Sequence, residues 1–281
     1  MTPPDTVPSA NPPIDACLGE GLRIGLFDSG LGGLSVLRAL RQHMPLAQLL
    51  YIADSGNAPY GERDDAFIAG RALAISDFLL SQGAQVIVVA CNTATAMAVH
   101  TLRQRWPEVP IVGVEPGVKP AVAQSANKRI GVLATPGTLA SDKFKRLIEI
   151  HGQDVVIVPQ PCPGLAKEIE SGHLDSPALR ALVDAFSQPL RQAKVDTVVL
   201  GCTHYPFVAP LFQQALGPHV RIIDTAEAVA RQTQRVSGDL PCLQAPHAEP
   251  TIQLWTSGSA AHLAQVADRW LNLKTQVSVL R

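Results

Sequence analysis

The stretch VIVVACNTATA, residues 86 to 96, decides the fold prediction. Five apolar residues lead directly into Cys91, and an asparagine, threonines and small residues follow. An apolar run without polar alternation is typical of a strand that is buried on both faces of a parallel sheet. Small polar residues after such a run are typical of a turn that begins a helix. We therefore expect the thiol at the carboxyl end of a central strand, as a buried core cysteine or as a functional group.

Strand and helix patterns alternate along most of the chain. Apolar residues with helical spacing lie between many of the strand-like runs, for example in residues 68–79. This alternation predicts an α/β fold, with parallel sheets covered by helices on both faces. The other strand-like runs are residues 22–27, 49–53, 111–114, 129–134, 154–158, 196–201 and 220–224.

Charge and composition exclude several classes of function. Lys and Arg number 23 against 24 Asp and Glu, and no run of like charges indicates a nucleic-acid or membrane surface. The longest apolar runs are shorter than the roughly 20 residues of a membrane span. The first residues, MTPPDTVPSANPPID, lack the basic and apolar regions of a signal peptide. We expect a soluble cytoplasmic protein in which residues 1–21 form a disordered tail.

The cysteines do not form a structural set. Their number is odd and no CxxC pair occurs, so neither a disulfide framework nor a zinc knuckle is predicted. Reduced thiols are the expected state. The set is Cys17, Cys91, Cys162, Cys202 and Cys242.

The chain repeats one design. IGLFDSGLGG from Ile24 matches IGVLATPGT from Ile130, and VIVVACNTAT from Val86 matches TVVLGCTHYP from Thr197. Two halves of one ancestral unit would explain both matches, and they predict two pseudo-symmetric α/β domains. Ligands of open α/β sheets bind beyond the carboxyl ends of the strands. If the halves face each other, Cys91 and Cys202 flank one pocket.

Two thiols across a pocket suit proton transfer at a carbon centre. One thiolate can remove a proton from one face while the other thiol returns a proton to the opposite face, which inverts the configuration. Asp28 and His204 are candidate acid/base partners of these thiols. Strand-end polar residues suit a carboxylate and an ammonium, although each alone is also a common helix cap. These residues are Ser29, Asn92, Thr93, Thr135, Thr138 and Thr203.

Other chemistries fit the sequence less well. Pyridoxal phosphate would require a Schiff-base lysine and a phosphate cup, and neither stands out, so we expect no cofactor. Cys202 with His204 could act as a hydrolytic nucleophile and base, which would leave Cys91 idle. A two-lobed binding protein for a small anion is a third possibility. A metal site at Cys202 and His204 lacks further ligands, and DSGLGG does not have the spacing of a nucleotide loop.

Seven segments resemble the glutamate racemase family, the cofactor-independent enzymes that supply D-glutamate for bacterial peptidoglycan. The resemblance covers the chain except for about the first 20 residues and is weak in PGLAKE (163–168) and in residues 236–250. A sister racemase that acts on aspartate is the nearest alternative. The matching segments are GLFDSGLGGLSVLRAL (25–40), YIADSGNAPYGER (51–63), VVACNTATA (88–96), VGVEPGVKPA (112–121), GVLATPGT (131–138), GCTHYPF (201–207) and TSG (256–258).

The resemblance implies roles for individual residues. Cys91 and Cys202 would be the acid/base thiols, each serving one enantiomer of glutamate. Asp28 would assist Cys91, while His204, with Glu170 beside it, would assist Cys202. Asp28 and His204 would also contact the substrate, together with Ser29, Tyr60, Gly61, Asn92, Thr93, Thr135, Thr138 and Thr203.

The resemblance also implies the organisation of the chain. Residues 22–115 together with 225–281 would form the first domain, and residues 116–224 would form the second. A homodimer is compatible with the family, and the small-molecule substrate would be L- or D-glutamate. No nucleic acid, membrane or metal is expected to take part.

Overall fold

The computed structural model describes residues 21–238, 240 and 251–280. Cys17, Cys242 and all but the last residue of the predicted tail lie outside the described residues. Among the described residues, no helix is both long and apolar enough to cross a membrane.

Strands and helices alternate along the described chain. The strands are β1 (Arg23–Asp28), β2 (Gln48–Ala53), β3 (Val86–Val89), β4 (Ile111–Gly113), β5 (Arg129–Ala134), β6 (Val156–Pro161), β7 (Thr197–Leu200), β8 (Arg221–Ile223), β9 (Ile252–Thr256) and β10 (Val277–Val279). The α-helices are α1 (Leu34–His43), α2 (Asp65–Ser81), α3 (Asn92–Arg105), α4 (Val118–Gln124), α5 (Pro136–Ala140), α6 (Asp142–His151), α7 (Leu165–Glu170), α8 (Pro177–Gln192), α9 (Ala209–Leu216), α10 (Ala226–Ser237) and α11 (Ala260–Leu271). Short 3₁₀ helices cover Ser55–Asn57, Tyr60–Glu62 and Tyr205–Val208.

The strands form two parallel sheets. The first has the order β10-β9-β2-β1-β3-β4, and the second has the order β6-β5-β7-β8. Every strand pair in both sheets is parallel. The order β2-β1-β3-β4 in the first sheet is the same as β6-β5-β7-β8 in the second, as the internal repeat predicts. The predicted α/β fold with parallel sheets is confirmed.

Helices cover both faces of the first sheet, which explains the unbroken apolar run of residues 86–89. Val86 and Val88 of β3 pack into one apolar cluster, and Ile87 and Val89 pack into a second cluster on the other face. All four side chains are fully buried. A strand with two dry faces gains from apolar residues at every position, so the run VIVV shows no alternation.

The C-terminal segment extends the first sheet. Strand β9 pairs with β2, and β10 pairs with β9. The sequence predicts β9 in TIQLWTS but not β10, whose three residues Val277–Val279 lie at the sheet edge and are partly exposed. We propose residues 22–115 with 225–281 as the first domain and residues 116–224 as the second.

One predicted strand is displaced in the structure. Strand β6 runs over Val156–Pro161 rather than residues 154–158. It contains Pro159 and Pro161, which lie beyond the predicted run. Because β6 is an edge strand with only β5 as a neighbour, the missing N–H groups of the prolines cost no ladder hydrogen bond on the open side.

A buried carboxylate ties the C-terminal segment to the first domain. Asp54, just after β2, is fully buried and accepts two hydrogen bonds from Arg71 of α2, at 2.8 and 2.9 Å. It also accepts hydrogen bonds from Tyr60 (2.5 Å), Ser257 (2.6 Å) and Asn57 (3.0 Å). Burial alone would raise the pKa of Asp54, but the hydrogen bonds, led by those from Arg71, lower it below its ordinary value.

We predict that Arg71→Ala lowers the free energy of unfolding by about 3 kcal/mol, because it leaves a buried carboxylate without its cation while the neutral donors remain. Chemical denaturation at neutral pH measures this change. Arg231→Ala is the matched control, since Arg231 pairs with Glu227 on an exposed helix surface and such pairs contribute about 1 kcal/mol or less. Equal losses in the two variants would contradict the role assigned to Asp54.

Candidate active site

The carboxyl ends of the two sheets meet around a cavity of about 290 Å³. Cys91, after β3, and Cys202, after β7, both line it. Residues from both predicted domains therefore form its wall. The lining consists of Ser29, Ser55, Ala58, Pro59, Tyr60, Gly61, Cys91, Asn92, Thr93, Thr135, Ala166, Lys167, Glu170, Cys202, Thr203 and His204.

Cys91 sits at the start of a helix, as predicted. It is the N-cap of α3, where its sulfur accepts a hydrogen bond from the backbone N–H of Ala94 at 3.5 Å. Its Sγ also lies 3.6 Å from Oγ of Ser29. Burial raises the pKa of the Cys91 thiol, and the nearby carboxylate of Asp28 raises it further. The two hydrogen bonds oppose this rise without cancelling it.

Asp28 lies behind the cavity wall at the end of β1. Its carboxylate accepts hydrogen bonds from the N–H groups of Gly30 (3.2 Å) and Gly33 (3.1 Å). The hydroxyl of Thr203, from the other sheet, lies 3.3 Å away. Burial raises the pKa of Asp28 to about 6, although the neighbouring His204 lowers it.

The glycines of DSGLGG are required by close packing. The sequence suggested conformations closed to other residues, but Gly30, Gly32 and Gly33 do not have positive φ angles. A Cβ on Gly30 would lie 2.7 Å from Cδ of Glu170, and a Cβ on Gly32 would lie 2.7 Å from Cγ of His204. This turn therefore allows the two sheets to approach each other closely.

Cys202 has a histidine and a glutamate beside it. Its Sγ lies 3.6 Å from Nδ1 of His204, and Nε2 of His204 contacts the carboxylate of Glu170. That carboxylate also accepts a hydrogen bond from the N–H of Leu31 in the first domain. Burial would lower the pKa of His204, but hydrogen bonds with Cys202 and Glu170 hold it well above its ordinary value.

The backbone around Cys202 differs from that around Cys91. The sequence predicts a helix start after each cysteine, near Asn92 and near Pro206, but Tyr205–Val208 is a 3₁₀ helix and α9 begins only at Ala209. Cys202 therefore lacks the helix N-terminus that Cys91 has.

Polar side chains from both sheets line the cavity. Both side-chain polar atoms of Asn92 are buried and have no hydrogen-bond partner among the described residues. Beside it, Oγ1 of Thr93 lies 3.2 Å from Oγ1 of Thr135 and 3.5 Å from Oγ1 of Thr138, which belong to the second domain. The arrangement offers donors and acceptors to a small polar molecule.

Most of the residues predicted for the site line the cavity, but three differ in position or in role. Asp28 and Thr138 lie one layer behind the lining. Tyr60 lines the cavity, but its hydroxyl is donated to Asp54, so it presents its ring and backbone to a ligand.

Some lining residues were not predicted from the sequence. Ser55, Ala58 and Pro59 belong to the quoted segment 51–63, so the signal was present but was assigned only to Tyr60 and Gly61. Ala166 and Lys167 belong to the weakly matched PGLAKE, in which no spacing or motif marks them. Among the described residues, no group of three or more His, Cys, Asp or Glu side chains is arranged to hold a metal ion.

Comparison with known sequences identifies the family. The model of the Asp/Glu/hydantoin racemase family matches residues 34–233. The glutamate racemase of Ectopseudomonas mendocina is 48% identical over 256 residues, which are 91% of this chain and 97% of that protein.

Solved structures agree. Glutamate racemase isoform RacE1 of Bacillus anthracis is 30% identical with a TM-score of 0.83, covering 92% of this chain and 97% of that chain. The glutamate racemase of Escherichia coli, solved in complex with L-glutamate and the activator UDP-MurNAc-ala, is 30% identical with a TM-score of 0.82 and the same coverage. The chain therefore belongs to the Asp/Glu/hydantoin racemase family and, within it, to the glutamate racemases.

Proposed function

We propose that this protein interconverts L- and D-glutamate by proton transfer at the α-carbon between Cys91 and Cys202, without a cofactor. Its product, D-glutamate, is used for peptidoglycan synthesis. The observation that carries the mechanism is that both thiols line one cavity while belonging to different sheets.

The reaction moves two protons. The thiolate of one cysteine takes the α-proton and becomes a thiol, which leaves a carbanion beside the substrate's carboxylate. The thiol of the other cysteine gives its proton to the opposite face of that carbon and becomes a thiolate. The product is the other enantiomer, and proton exchange with solvent restores the starting thiol–thiolate pair.

The carbanion is the difficult species, and the site supports it with hydrogen bonds. Asn92 can donate through Nδ2 to the carboxylate and accept through Oδ1 from the ammonium, because neither atom has a hydrogen-bond partner in the described part of the chain. Hydroxyls of Thr93, Thr135 and Thr203 lie on the same wall or next to it. Donors that face developing charge are each worth about 3 to 4 kcal/mol in other enzymes.

The two thiols gain their charge in different ways. The imidazole of His204, held by Glu170, lies 3.6 Å from the sulfur of Cys202, where its positive charge can stabilise negative charge that develops on that sulfur in the reaction. Cys91 has no such cation, and burial together with Asp28 raises its pKa. The ammonium of a bound substrate would supply the missing positive charge, so Cys91 is activated on binding.

We predict that Cys91→Ser and Cys202→Ser each lower racemisation at least a thousandfold, because a serine hydroxyl is a far weaker acid than a thiol. Optical rotation or circular dichroism of each glutamate enantiomer measures the rate. Cys17→Ser, at a cysteine with no predicted role, is the control. Wild-type turnover in either active-site variant would refute the two-thiol mechanism.

We also predict that the product carries solvent deuterium at the α-carbon when the reaction runs in ²H₂O, because the returned proton comes from a thiol that exchanges with water. Proton NMR of the α-position follows this incorporation. A product that retains the original hydrogen through complete racemisation would count against a two-base reaction.

The buried carboxylate of Asp28 should lower the free energy of unfolding at neutral pH while it supports racemisation. Its carboxyl ionises at its ordinary pKa of 3.8 in the unfolded chain but near 6 in the folded protein, so the free energy of unfolding falls as pH rises between these values. The loss at neutral pH is about 3 kcal/mol. We predict that Asp28→Asn is more stable than the wild type at pH 7 and close to it below pH 4, yet racemises more slowly.

Chemical denaturation at the two pH values, together with the racemisation rate, tests this prediction. A variant that is less stable than the wild type at pH 7 would show that the buried charge is not a cost. A variant with undiminished activity would remove Asp28 from the mechanism.

A further inference from the structure

Tyr205 lies directly behind Cys202. It is fully buried and does not belong to the cavity lining. Its N–H donates to the carbonyl of Cys202 at 3.1 Å, and its ring packs against Phe212 with centroids 6.2 Å apart. The ring is thus fixed next to the thiol without being able to touch a substrate.

The hydroxyl of Tyr205 has no conventional partner. It is buried and makes no hydrogen bond of normal geometry with the described residues. Tyr205 packs in one buried cluster with Cys162 and Cys202, and both sulfurs influence its hydroxyl electrostatically. A buried hydroxyl without an acceptor costs free energy, so a neighbouring sulfur that becomes charged would supply the acceptor that this group lacks.

The two sulfurs differ as acceptors. Cys162, also buried, lies 3.4 Å from the carbonyl of Gln160 and can donate its own proton there. Burial keeps the pKa of the Cys162 thiol well above its ordinary value, so it stays neutral and accepts weakly. A thiolate accepts a much stronger hydrogen bond than a thiol does. Cys202 becomes a thiolate in the proposed reaction, so it is the acceptor that gains most.

We propose that Tyr205 is a positioning residue for Cys202: its hydroxyl donates to the sulfur while Cys202 is a thiolate and releases it when the thiol has taken the substrate's α-proton. While Cys202 is a neutral thiol, the sulfur of Cys162 is the weak alternative acceptor for this hydroxyl. This inference rests on the proposed two-thiol function. It concerns the Cys202 side of the cavity and assigns no residue to the Cys91 side.

Tyr205→Phe removes the hydroxyl and keeps the ring. A hydrogen bond to a charged group shifts the thiol–thiolate equilibrium about ten- to a hundredfold. The effect on the rate is smaller, because a thiolate that accepts this hydrogen bond is also a weaker base. We expect kcat/KM for glutamate to fall about three- to tenfold. The fall must be equal in both directions, because the two enantiomers have the same free energy in solution.

The deciding readout is the α-deuterium isotope effect on kcat/KM, measured separately for L- and D-glutamate. Loss of the hydroxyl raises the barrier of the step at Cys202 and leaves the step at Cys91 unchanged. The isotope effect should therefore rise for the enantiomer that Cys202 deprotonates and fall for the other. Ser29→Ala, which removes the hydroxyl 3.6 Å from Cys91, should move the two isotope effects in the opposite sense.

Two further variants separate the hydroxyl from packing. Ser187→Ala removes another fully buried hydroxyl, which donates to the carbonyl of Val183 within α8, and should change neither quantity because neither residue lines the cavity. Cys162→Ala leaves Tyr205 with Cys202 as its acceptor. In this variant the isotope effects for L- and D-glutamate should therefore not move in opposite directions.

The inference is overturned if Tyr205→Phe keeps the wild-type kcat/KM and isotope effects, if both isotope effects move together, or if Cys162→Ala gives the same divergence. A wild-type protein that does not racemise glutamate would instead refute the proposed function. The two failures are thus distinguishable.

Discussion

Two parallel sheets that end against each other impose the geometry of the whole site. In a parallel sheet, all carboxyl ends lie on one edge, so the turns that follow neighbouring strands cluster there. Strands β3 and β7 hold equivalent positions in the order of their sheets, and each is followed by a cysteine. When the two edges face each other, the cysteines reach one cavity from opposite domains. The glycines beside Asp28 allow this close approach.

The backbone is nearly symmetric, but the side chains around the two thiols are not. Cys91 has a helix N-terminus, a serine and a buried carboxylate as neighbours. Cys202 has an imidazole supported by Glu170, with Tyr205 behind it. A racemase must act on two mirror-image substrates, and the proposed mechanism assigns this task to two chemically different groups of neighbours around the thiols. The symmetric fold determines the positions of the two sulfurs. In the proposed mechanism, the different side chains around them determine how each thiol loses its proton.

Sequence patterns predicted the features that depend on local structure. The buried strands, the start of α3 at Asn92 and the strand-end thiols all follow from apolar runs and turn residues within a few positions. The residue roles taken from the family resemblance stay predictions until they are tested. Features that depend on distant contacts were missed or misplaced. The hydrogen bond from Ser257 to Asp54 joins residues 203 positions apart, and β10 is a three-residue edge strand with little apolar signal.

A structure with L- or D-glutamate bound is the most direct measurement of the central claim, which is that two sulfurs serve opposite faces of one carbon. The α-carbon should lie between Cys91 and Cys202, with each Sγ about 3 to 4 Å away on opposite faces, the range of a productive contact. Both sulfurs on one face of the substrate, or an α-carbon beyond the reach of either sulfur, would contradict the claim.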